Sequence, residues 1–372
     1  MSKAAELALL IGSQSQGSTI GHRNMLTNGD LMIDQKGETA TQTGSGGSKP
    51  VDGWRQSQSN VGQLSVETSR VADAPANTQL KYSIKTQAKT PENALAANED
   101  WTLLTKVEGH DCQKLMYGTS NALSTTLSFW VKSSIAGTFA VGIYQEDGND
   151  NISKPYTISS ADTWEYKTIT YPGNTMAAIT DDATTGLQIQ WFISVGSNVT
   201  GGSNGDVWHS YADNTFAFGH VTNTHITTDE STFQLTGCQF EIGDVATPFE
   251  FKTFEQNLAK CQRYFYPAVP KGSASSYFAS GWLYSSSLML GFLYHPVEMR
   301  ANPTIVSSDG SNDFQFIRSG AGDYFDEVSL NSTNLKVTSV INNSDISGTA
   351  GDSGGLYIID TTNAYIWVDA WL

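Results

Sequence analysis

The sequence predicts an all-β protein: an antiparallel β-sandwich of the jelly-roll type and a second, C-terminal β domain, with a short N-terminal helix and a short linker helix. Two observations predict this class. Many short segments alternate apolar with polar residues, and Gly, Asn, Asp and Ser separate them, which is typical of half-buried antiparallel strands. No helical pattern intervenes between these segments from residue 24 to about residue 252, so we expect two packed sheets.

The composition indicates a folded chain with an acidic surface. Of 372 residues, 37 are Asp or Glu and 21 are Lys or Arg, which gives a formal net charge of −16. This charge argues against sequence-independent binding to nucleic acid or anionic membranes. Nine Trp, 16 Phe and 15 Tyr supply enough apolar surface to exclude a disordered chain. No segment approaches the roughly 20 apolar residues of a membrane helix, so we expect no membrane insertion.

Residues 1–23 are predicted to be an anchoring helix and a tether. Residues 2–12 have the pattern of a helix with a capping serine and a terminal glycine. A helix this short is marginal alone, so Leu7, Leu10 and Ile11 need a surface to pack on, in this protein or in another. No secretory signal is recognisable in this segment, so synthesis in a cytosol is expected.

Residues 24–252 carry the strand pattern of the sandwich. Apolar residues fall at every second position in the clearest strands, around residues 127–131, 139–143 and 187–193. In residues 233–242 the apolar set changes phase across Gly237. A β-bulge at this glycine would let both halves of the strand face inward.

Residues 253–270 break the strand pattern and are predicted to be a linker helix followed by a proline-containing segment. Phe254, Leu258, Cys261 and Phe265 follow one another at helical spacing and would share one face.

Residues 271–372 are predicted to form the second β domain, either a receptor tip or an oligomerisation module. Residues 356–359 and 364–372 suit a terminal hairpin, because a short turn-like segment separates them. Trp367 and Trp371 suggest that this end of the chain is buried in a sheet or in a subunit contact.

Neither a metal site nor a disulfide is expected, and no cofactor. Cys112, Cys238 and Cys261 are widely spaced and odd in number, so buried, reduced thiols are expected. Residues 146–151 are rich in oxygen ligands but lack the distal glutamate of a calcium loop, so a hairpin turn is expected there.

Catalytic motifs are weak, and we expect no enzyme. Residues 351–355 read GDSGG, the string around the nucleophile of trypsin-like proteases, but no histidine has the matching context, so a loop is expected. Adjacent carboxylates occur at 181–182, 229–230 and 326–327, in surroundings typical of exposed turns. A glycosidase would need two carboxylates across a cleft, and sequence does not supply that distance.

The mixture of aromatic and uncharged polar residues suits carbohydrate recognition, because sugar rings stack on Trp and Tyr while amides bond their hydroxyl groups. The candidate glycan-binding residues lie outside the strong strands and are Trp54, Trp101, Trp208 and Tyr211. The alternative is that each of them fills the core of the sandwich. Turn-like neighbours favour exposure most for Trp101 and Trp208.

Several motifs, in this order along the chain, resemble bacteriophage tail-fibre and related virion proteins. They are NMLTNGDL (24–31), DGW (52–54), SFWVKSS (128–134), TWEYKTIT (163–170), LTGCQFEIG (235–243), ATPFE (246–250), CQRYF (261–265) and MRANPT (299–304). The joint order is more specific than any single motif, and it covers nearly the whole chain.

The resemblance implies a middle domain similar to a carbohydrate-binding-module jelly roll, in a homotrimeric fibre located on the virion. It implies other virion proteins as partners of the N-terminus and a host surface glycan as ligand. The runner-up is a capsid decoration or head fibre protein. A polysaccharide depolymerase is less favoured, because no internal repeat of the β-helix kind appears. Residues 32–35 do not match the acidic position that holds calcium in carbohydrate-binding relatives.

Overall fold

The computed structural model describes residues 22–201, 205–212 and 215–372, so the predicted anchoring residues Leu7, Leu10 and Ile11 lie outside the described part of the chain. The chain divides into two compact units, Met1–Phe254 and Glu255–Leu372. No helix among the described residues is long and apolar enough to cross a membrane.

The first unit is built almost entirely from strands. They are β1 (Ala40–Thr43), β2 (Gly46–Val51), β3 (Trp54–Ser59), β4 (Ser65–Val71), β5 (Ser83–Thr90), β6 (Asp100–Glu108), β7 (Thr125–Ser133), β8 (Gly137–Gln145), β9 (Asp150–Ile158), β10 (Glu165–Tyr171), β11 (Thr185–Val195), β12 (His209–Ser210) and β13 (Thr232–Ile242). A short helix α1 (Gly109–Cys112) and 3₁₀ turns at Gln113–Leu115 and Thr224–Thr227 lie in the connections.

Two antiparallel sheets form the predicted sandwich. The six-stranded sheet has the order β1-β4-β5-β13-β7-β10, and the seven-stranded sheet has the order β12-β9-β8-β11-β6-β3-β2. Neighbours such as β13 and β5 are far apart in the chain, as crossover connections between the sheets require. Apolar side chains from both sheets meet in one core, which includes Trp54, Phe129, Trp191 and Phe233, each fully buried. The all-β prediction is therefore confirmed.

Strand β13 contains the predicted bulge. Its register against β7 shifts between Thr236 and Gln239, and Gly237 has a φ of 57°. This left-handed conformation suits glycine, which has no Cβ to clash with the backbone. Phe233 and Phe240, on either side of the bulge, are both fully buried. The extra residue thus keeps both halves of the strand directed into the core.

The second unit consists of one helix and ten strands. They are α2 (Phe254–Gln262), which begins at the division between the units, β14 (Phe265–Val269), β15 (Tyr277–Ser285), β16 (Leu288–Tyr294), β17 (Thr304–Ser307), β18 (Phe314–Arg318), β19 (Ala321–Phe325), β20 (Ser329–Thr333), β21 (Val337–Asn342), β22 (Ser353–Ile358) and β23 (Ile366–Asp369). A seven-stranded sheet has the order β19-β18-β22-β15-β16-β21-β20, and a three-stranded sheet has the order β14-β23-β17.

The segment 253–270 forms the predicted helix, but it is not a separate linker. The helix ends at Gln262, and Phe265 begins strand β14 of the three-stranded sheet. Phe254 is 55% exposed, whereas Cys261 is buried as predicted. The predicted helical face therefore does not include its two end residues. Phe254 is exposed, and the chain has changed to extended backbone before Phe265.

The predicted terminal hairpin is wrong. β22 pairs with β15 and β18 of the seven-stranded sheet, whereas β23 pairs with β14 and β17 of the three-stranded sheet. The carboxylate of Asp360 accepts hydrogen bonds from the backbone N–H groups of Thr362 and Asn363, at 2.8 and 3.1 Å. The turn therefore delivers the chain to a different sheet, which spacing alone does not reveal.

The GDSGG string is only partly a loop, because its last three residues begin β22. Gly354 lies opposite Gly281 in the sheet, and a Cβ at Gly354 would sit 2.2 Å from the carbonyl oxygen of Ile317. Glycine is needed here for close strand packing. By contrast, the prediction for the cysteines is confirmed, since Cys112, Cys238 and Cys261 are free and buried.

Candidate functional site

The three predicted tryptophans are core residues. Trp54 and Trp101 are 0% exposed and Trp208 is 8% exposed, so the predicted exposure of Trp101 and Trp208 is wrong. The indole N–H of Trp54 donates to the Asn28 carbonyl at 3.1 Å, and that of Trp208 donates to the Pro172 carbonyl at 2.8 Å. Trp54 and Trp101 sit on strands whose polar neighbours face outward, so their own side chains face inward. A ring buried in this way cannot stack on a ligand.

Tyr211 remains available and is part of an aromatic chain. Its ring lies 5.5 Å from the ring of Tyr144 and 5.4 Å from that of Phe216, which in turn lies 5.0 Å from Phe192. Tyr144 and Tyr211 are both half-buried. Tyr144 belongs to β8, and Phe192 belongs to β11. The aromatic chain therefore lies on the outer face of the seven-stranded sheet of the sandwich.

Strand register brings polar side chains together on this outer face. The alternate residues of β11 that point inward, such as Ile189 and Trp191, are fully buried in the core, so Gln188 and Gln190 point outward. Two rows of paired residues cross the sheet there. The first row contains Arg55, Leu104, Gln190 and Gly142, and the second contains Lys106, Gln188, Tyr144 and Asn151. We call these eight residues, with Tyr211, the polar sheet face.

Three members of the polar sheet face have unused hydrogen-bonding groups. Within the described part of the chain, the side chains of Arg55, Gln188 and Gln190 have no hydrogen-bond or ion-pair partner. Gln190 is only 7% exposed. Its amide atoms are not among the fully buried side-chain atoms that lack a partner, so the amide reaches solvent at the surface of the sheet. These groups are therefore set to receive water or a ligand.

The first row is closely packed beside Gln190. Gly142 occupies the next position of the row, and a Cβ there would meet the Ser153 Cβ at 3.0 Å and the Phe192 ring at 3.3 Å. These contacts are shorter than ordinary van der Waals contacts, so glycine is needed at this position for close packing. In the second row, the side-chain amide of Asn151 donates to the carbonyl of Thr215 at 2.9 Å.

A carboxylate lies on the same outer face. Asp100 precedes the inward-facing Trp101 on β6 and pairs in register with Ser59. Burial raises the pKa of Asp100 to about 6, and a hydrogen bond from Ser59 opposes this shift. Burial and the nearby carboxylate of Glu146 raise the pKa of Tyr144, whose hydroxyl donates a hydrogen bond to the Asn149 side chain at 2.8 Å.

A second groove lies on the outer face of the six-stranded sheet. It has a volume of about 450 Å³ and is bordered by Tyr166, Thr168, Thr170 and residues 244–248. Tyr166 is 44% exposed and packs on Trp130 at 5.3 Å. The hydroxyl of Thr170 donates to the Asp244 carbonyl at 3.2 Å. Because this polar group already has a partner, the groove is a weaker candidate than the polar sheet face.

No metal centre is apparent. Among the residues that the structure describes, no group of three or more His, Cys, Asp or Glu side chains is placed to hold a metal ion. Residues 146–149 form the predicted hairpin turn between β8 and β9, where Gln145 pairs with Asp150. Asn149 adopts a φ of 52° in this turn, and its side chain accepts a hydrogen bond from the Tyr144 hydroxyl at 2.8 Å.

Of the residues predicted from the sequence to bind a glycan, Tyr211 lies on the polar sheet face, and the other members of this face were not predicted. Alternation along β11 places Gln188 and Gln190 on one side, which the sequence reveals. It does not reveal that β3, more than 100 residues earlier in the chain, brings Arg55 to the same row.

No protein-family profile matches the chain, and no curated protein matches it. Among solved structures, it is similar to the enzymatically active domain of bacteriophage CBA120 tailspike protein 4, with a TM-score of 0.33, 10% identity, and coverage of 59% of this chain and 21% of that chain. It is also similar to TmCBM61 in complex with β-1,4-galactotriose, with a TM-score of 0.29, 13% identity, and coverage of 60% of this chain and 100% of that chain.

A third similar structure is the family 11 carbohydrate-binding module of the cellulosomal cellulase Lic26A-Cel5E of Clostridium thermocellum. Here the TM-score is 0.28, the identity is 13%, and the match covers 56% of this chain and 97% of that chain. The match spans about a fifth of the tailspike chain, at 21%. At these scores and identities the similarity identifies no ligand or reaction for this protein.

Proposed function

We propose that the protein binds a glycan through the polar sheet face and does so without catalysis. The observation that carries this proposal is the side-chain amide of Gln190, which has no partner among the described residues and lies in one row with Arg55 and beside Gln188 and Tyr144. A sugar presents hydroxyl groups that amides and a guanidinium can bond, and its apolar ring faces can stack on tyrosine. The face offers both kinds of group within two neighbouring rows.

We further propose that the protein is a tail fibre of a bacteriophage virion and binds host surface glycans during adsorption. The support is the order of sequence motifs that resembles tail-fibre proteins. In this proposal residues 1–23 dock on a virion protein, with Leu7, Leu10 and Ile11 as anchors. Three copies in a homotrimer would multiply a weak contact by each glycan site into useful avidity.

The test is glycan binding by the intact chain and two variants. An array of bacterial surface glycans identifies a ligand, and isothermal titration then measures its affinity for wild type, Gln190→Ala and Tyr144→Ala. We expect each substitution to weaken binding about fivefold, since a lost hydrogen bond or stacking contact is worth about 1 kcal/mol.

Tyr166→Ala is the matched control, because Tyr166 is also an exposed tyrosine on an outer sheet face, but on the other sheet. We expect this variant to bind as wild type does. Loss of binding in Tyr166→Ala with normal binding in Tyr144→Ala would place the site in the second groove. Failure of every glycan to bind wild type would contradict the proposed function itself.

A further inference from the structure

The strands of the seven-stranded sheet in the second unit carry very few charged side chains. Strands β15, β16, β18, β19, β20, β21 and β22 contain only two charged side chains, Arg318 and Asp323. These two form an ion pair at 2.8 Å. Asp323 pairs in register with Phe316, which is fully buried in the core, so the ion pair lies on the core side of the sheet. The other side of these strands has no charged side chain.

That other side is rich in aromatic and aliphatic residues. In three rows across the sheet it presents Tyr324, Gln315, Tyr357 and Tyr277; Ile317, Gly355, Ser280, Phe292 and Ser339; and Trp282, Leu290 and Ile341. We call these twelve residues the aromatic sheet face. Its rings contact one another, with Trp282 lying 5.4 Å from Phe292 and Tyr277 lying 5.0 Å from Tyr357. The face is therefore a continuous patch.

Strand β16 has apolar side chains on both faces of this sheet. Its sequence, LMLGFLY, is apolar throughout, which is the pattern of a strand covered on both sides. Met289 and Leu293 point into the core and are at most 3% exposed. Leu290 and Phe292 point the other way and do not belong to the core among the described residues. Tyr277 is 62% exposed and Tyr324 is 50% exposed.

The outer face of the six-stranded sheet in the first unit has the opposite character. Its strands carry charged side chains that are paired with acids, as in Lys89 with Glu230 at 2.8 Å and Lys132 with Asp73. Such a face is adapted to water. The comparison shows that the absence of charge on the aromatic sheet face is not a general property of the sheets in this chain.

We propose that the aromatic sheet face joins copies of this chain to one another. Its twelve positions, on strands about 4.8 Å apart and in rows about 7 Å apart, give it an area on the order of 400 Å². This is about half of the roughly 800 Å² that each partner contributes to a specific interface, and aromatic enrichment with depletion of charge is typical of interface centres. Exposed apolar patches of this extent usually mark an interaction site.

Charge identifies the occupant as a second copy. Each chain carries a net charge of −16, so two copies repel one another unless the surfaces that touch are free of carboxylates. The aromatic sheet face meets this condition. A cleft of about 540 Å³ beside it, lined by Tyr266, Tyr277, Phe292 and Tyr294 among others, offers an uncharged place for a side chain of the other copy.

This inference rests on the proposed function in one respect, since it supplies the surface for the multivalent assembly. The test is the molar mass of the intact chain in solution, by sedimentation velocity at micromolar concentration. We expect wild type to sediment at two or three times the chain mass of 40.2 kDa. We expect Leu290→Glu to sediment at one chain mass, because it places a carboxylate on the face between Trp282 and Ile341. Leu330→Glu is the matched control.

The control is apt because Leu330 is 42% exposed on the same sheet but pairs with Val340, so it lies on the opposite side. Leu330→Glu should keep the wild-type mass. Tyr294→Glu, at a side chain that is 75% exposed, should also weaken the assembly without disturbing the fold, as circular dichroism can verify.

A monomeric wild type would overturn the inference, and so would an oligomer that survives both Leu290→Glu and Tyr294→Glu. The second result would mean that the copies associate through another surface. Glycan affinity per chain, measured by titration, should be unchanged in Leu290→Glu. A wild type that forms the oligomer but binds no glycan would therefore contradict the proposed function and not this interface.

Discussion

Asp100, in the first unit, has a carboxyl group whose pKa differs clearly from that of a free aspartate. Its carboxylate shares an outer sheet face with Gln188 and Gln190, and burial raises its pKa to about 6. The ordinary value is 3.8, so the folded protein holds this proton more tightly than the unfolded chain does. Stability contributed by the protonated form is present at pH 4 and below, and it is lost as pH rises through about 6.

Substituting Asp100→Asn should therefore stabilise the protein at neutral pH and not at pH 4. The amide keeps a polar group beside Ser59 but removes the buried charge. We expect a gain of about 1–3 kcal/mol in the free energy of unfolding at pH 7, measured by urea denaturation across the pH range. Asp229→Asn, at an exposed position, is the control and should show no such pH-dependent gain. Equal effects of Asp100→Asn at pH 4 and pH 7 would contradict the argument.

At the scale of single residues, the sequence predicted the buried, reduced cysteines correctly and the exposure of Trp101 and Trp208 wrongly. Aromatic and cysteine side chains were correctly expected to be available for burial, and the cysteines are buried. Turn-like neighbours suggested that Trp101 was exposed, yet it is 0% exposed. The reason is that β6 begins at Asp100, directly after the turn-like residues Asn98 and Glu99. Successive side chains of a strand point to opposite faces, so the side chain of Trp101 already points into the core.

At the scale of single elements, β13 is the clearest case in which sequence specifies local geometry. The change of phase across Gly237 predicts the bulge that the register shift shows. The same glycine also allows close packing, since a Cβ there would lie 2.8 Å from Leu80 Cδ1 and 3.1 Å from Trp130 Cδ1. Backbone conformation and packing thus both require glycine at this position.

Gly237→Ala should destabilise the first unit by about 2 kcal/mol or more. An alanine pays about 1–2 kcal/mol for the left-handed backbone, and the contacts with Leu80 and Trp130 add to this. Gly320→Ala is the control, because Gly320 has a φ of 75° but no atom within 4 Å of the added Cβ. Scanning calorimetry of both variants separates the two contributions. A loss in Gly237→Ala no larger than in Gly320→Ala would show that packing is unimportant there.

At the scale of the whole molecule, the two units present different surfaces. The first unit has the polar sheet face, with amides and two tyrosines, and the second unit has the aromatic sheet face, without charge. A chain that holds its copies together through one unit and binds a glycan through the other would suit a fibre. This division of roles is what the proposed tail fibre needs for avidity.

Imaging the intact virion by cryo-electron microscopy tests the location. We expect three copies of this chain projecting from the tail, with residues 1–23 against a tail protein. The chain on the capsid lattice would contradict the tail assignment and make it a decoration protein. The copy number in the same map also checks the interface proposed for the aromatic sheet face.

The sequence alone determined the all-β class, the bulge at Gly237, the α2 helix and the buried thiols. Each depends on residues close in the chain, and periodicity or local backbone preference reports them directly. Only the tertiary structure decided that β22 and β23 enter different sheets, and that Arg55, Gln190 and Tyr144 share one face. The physical reason is that neighbours in an antiparallel sandwich come from distant strands. Register between such strands depends on the packing of the whole core.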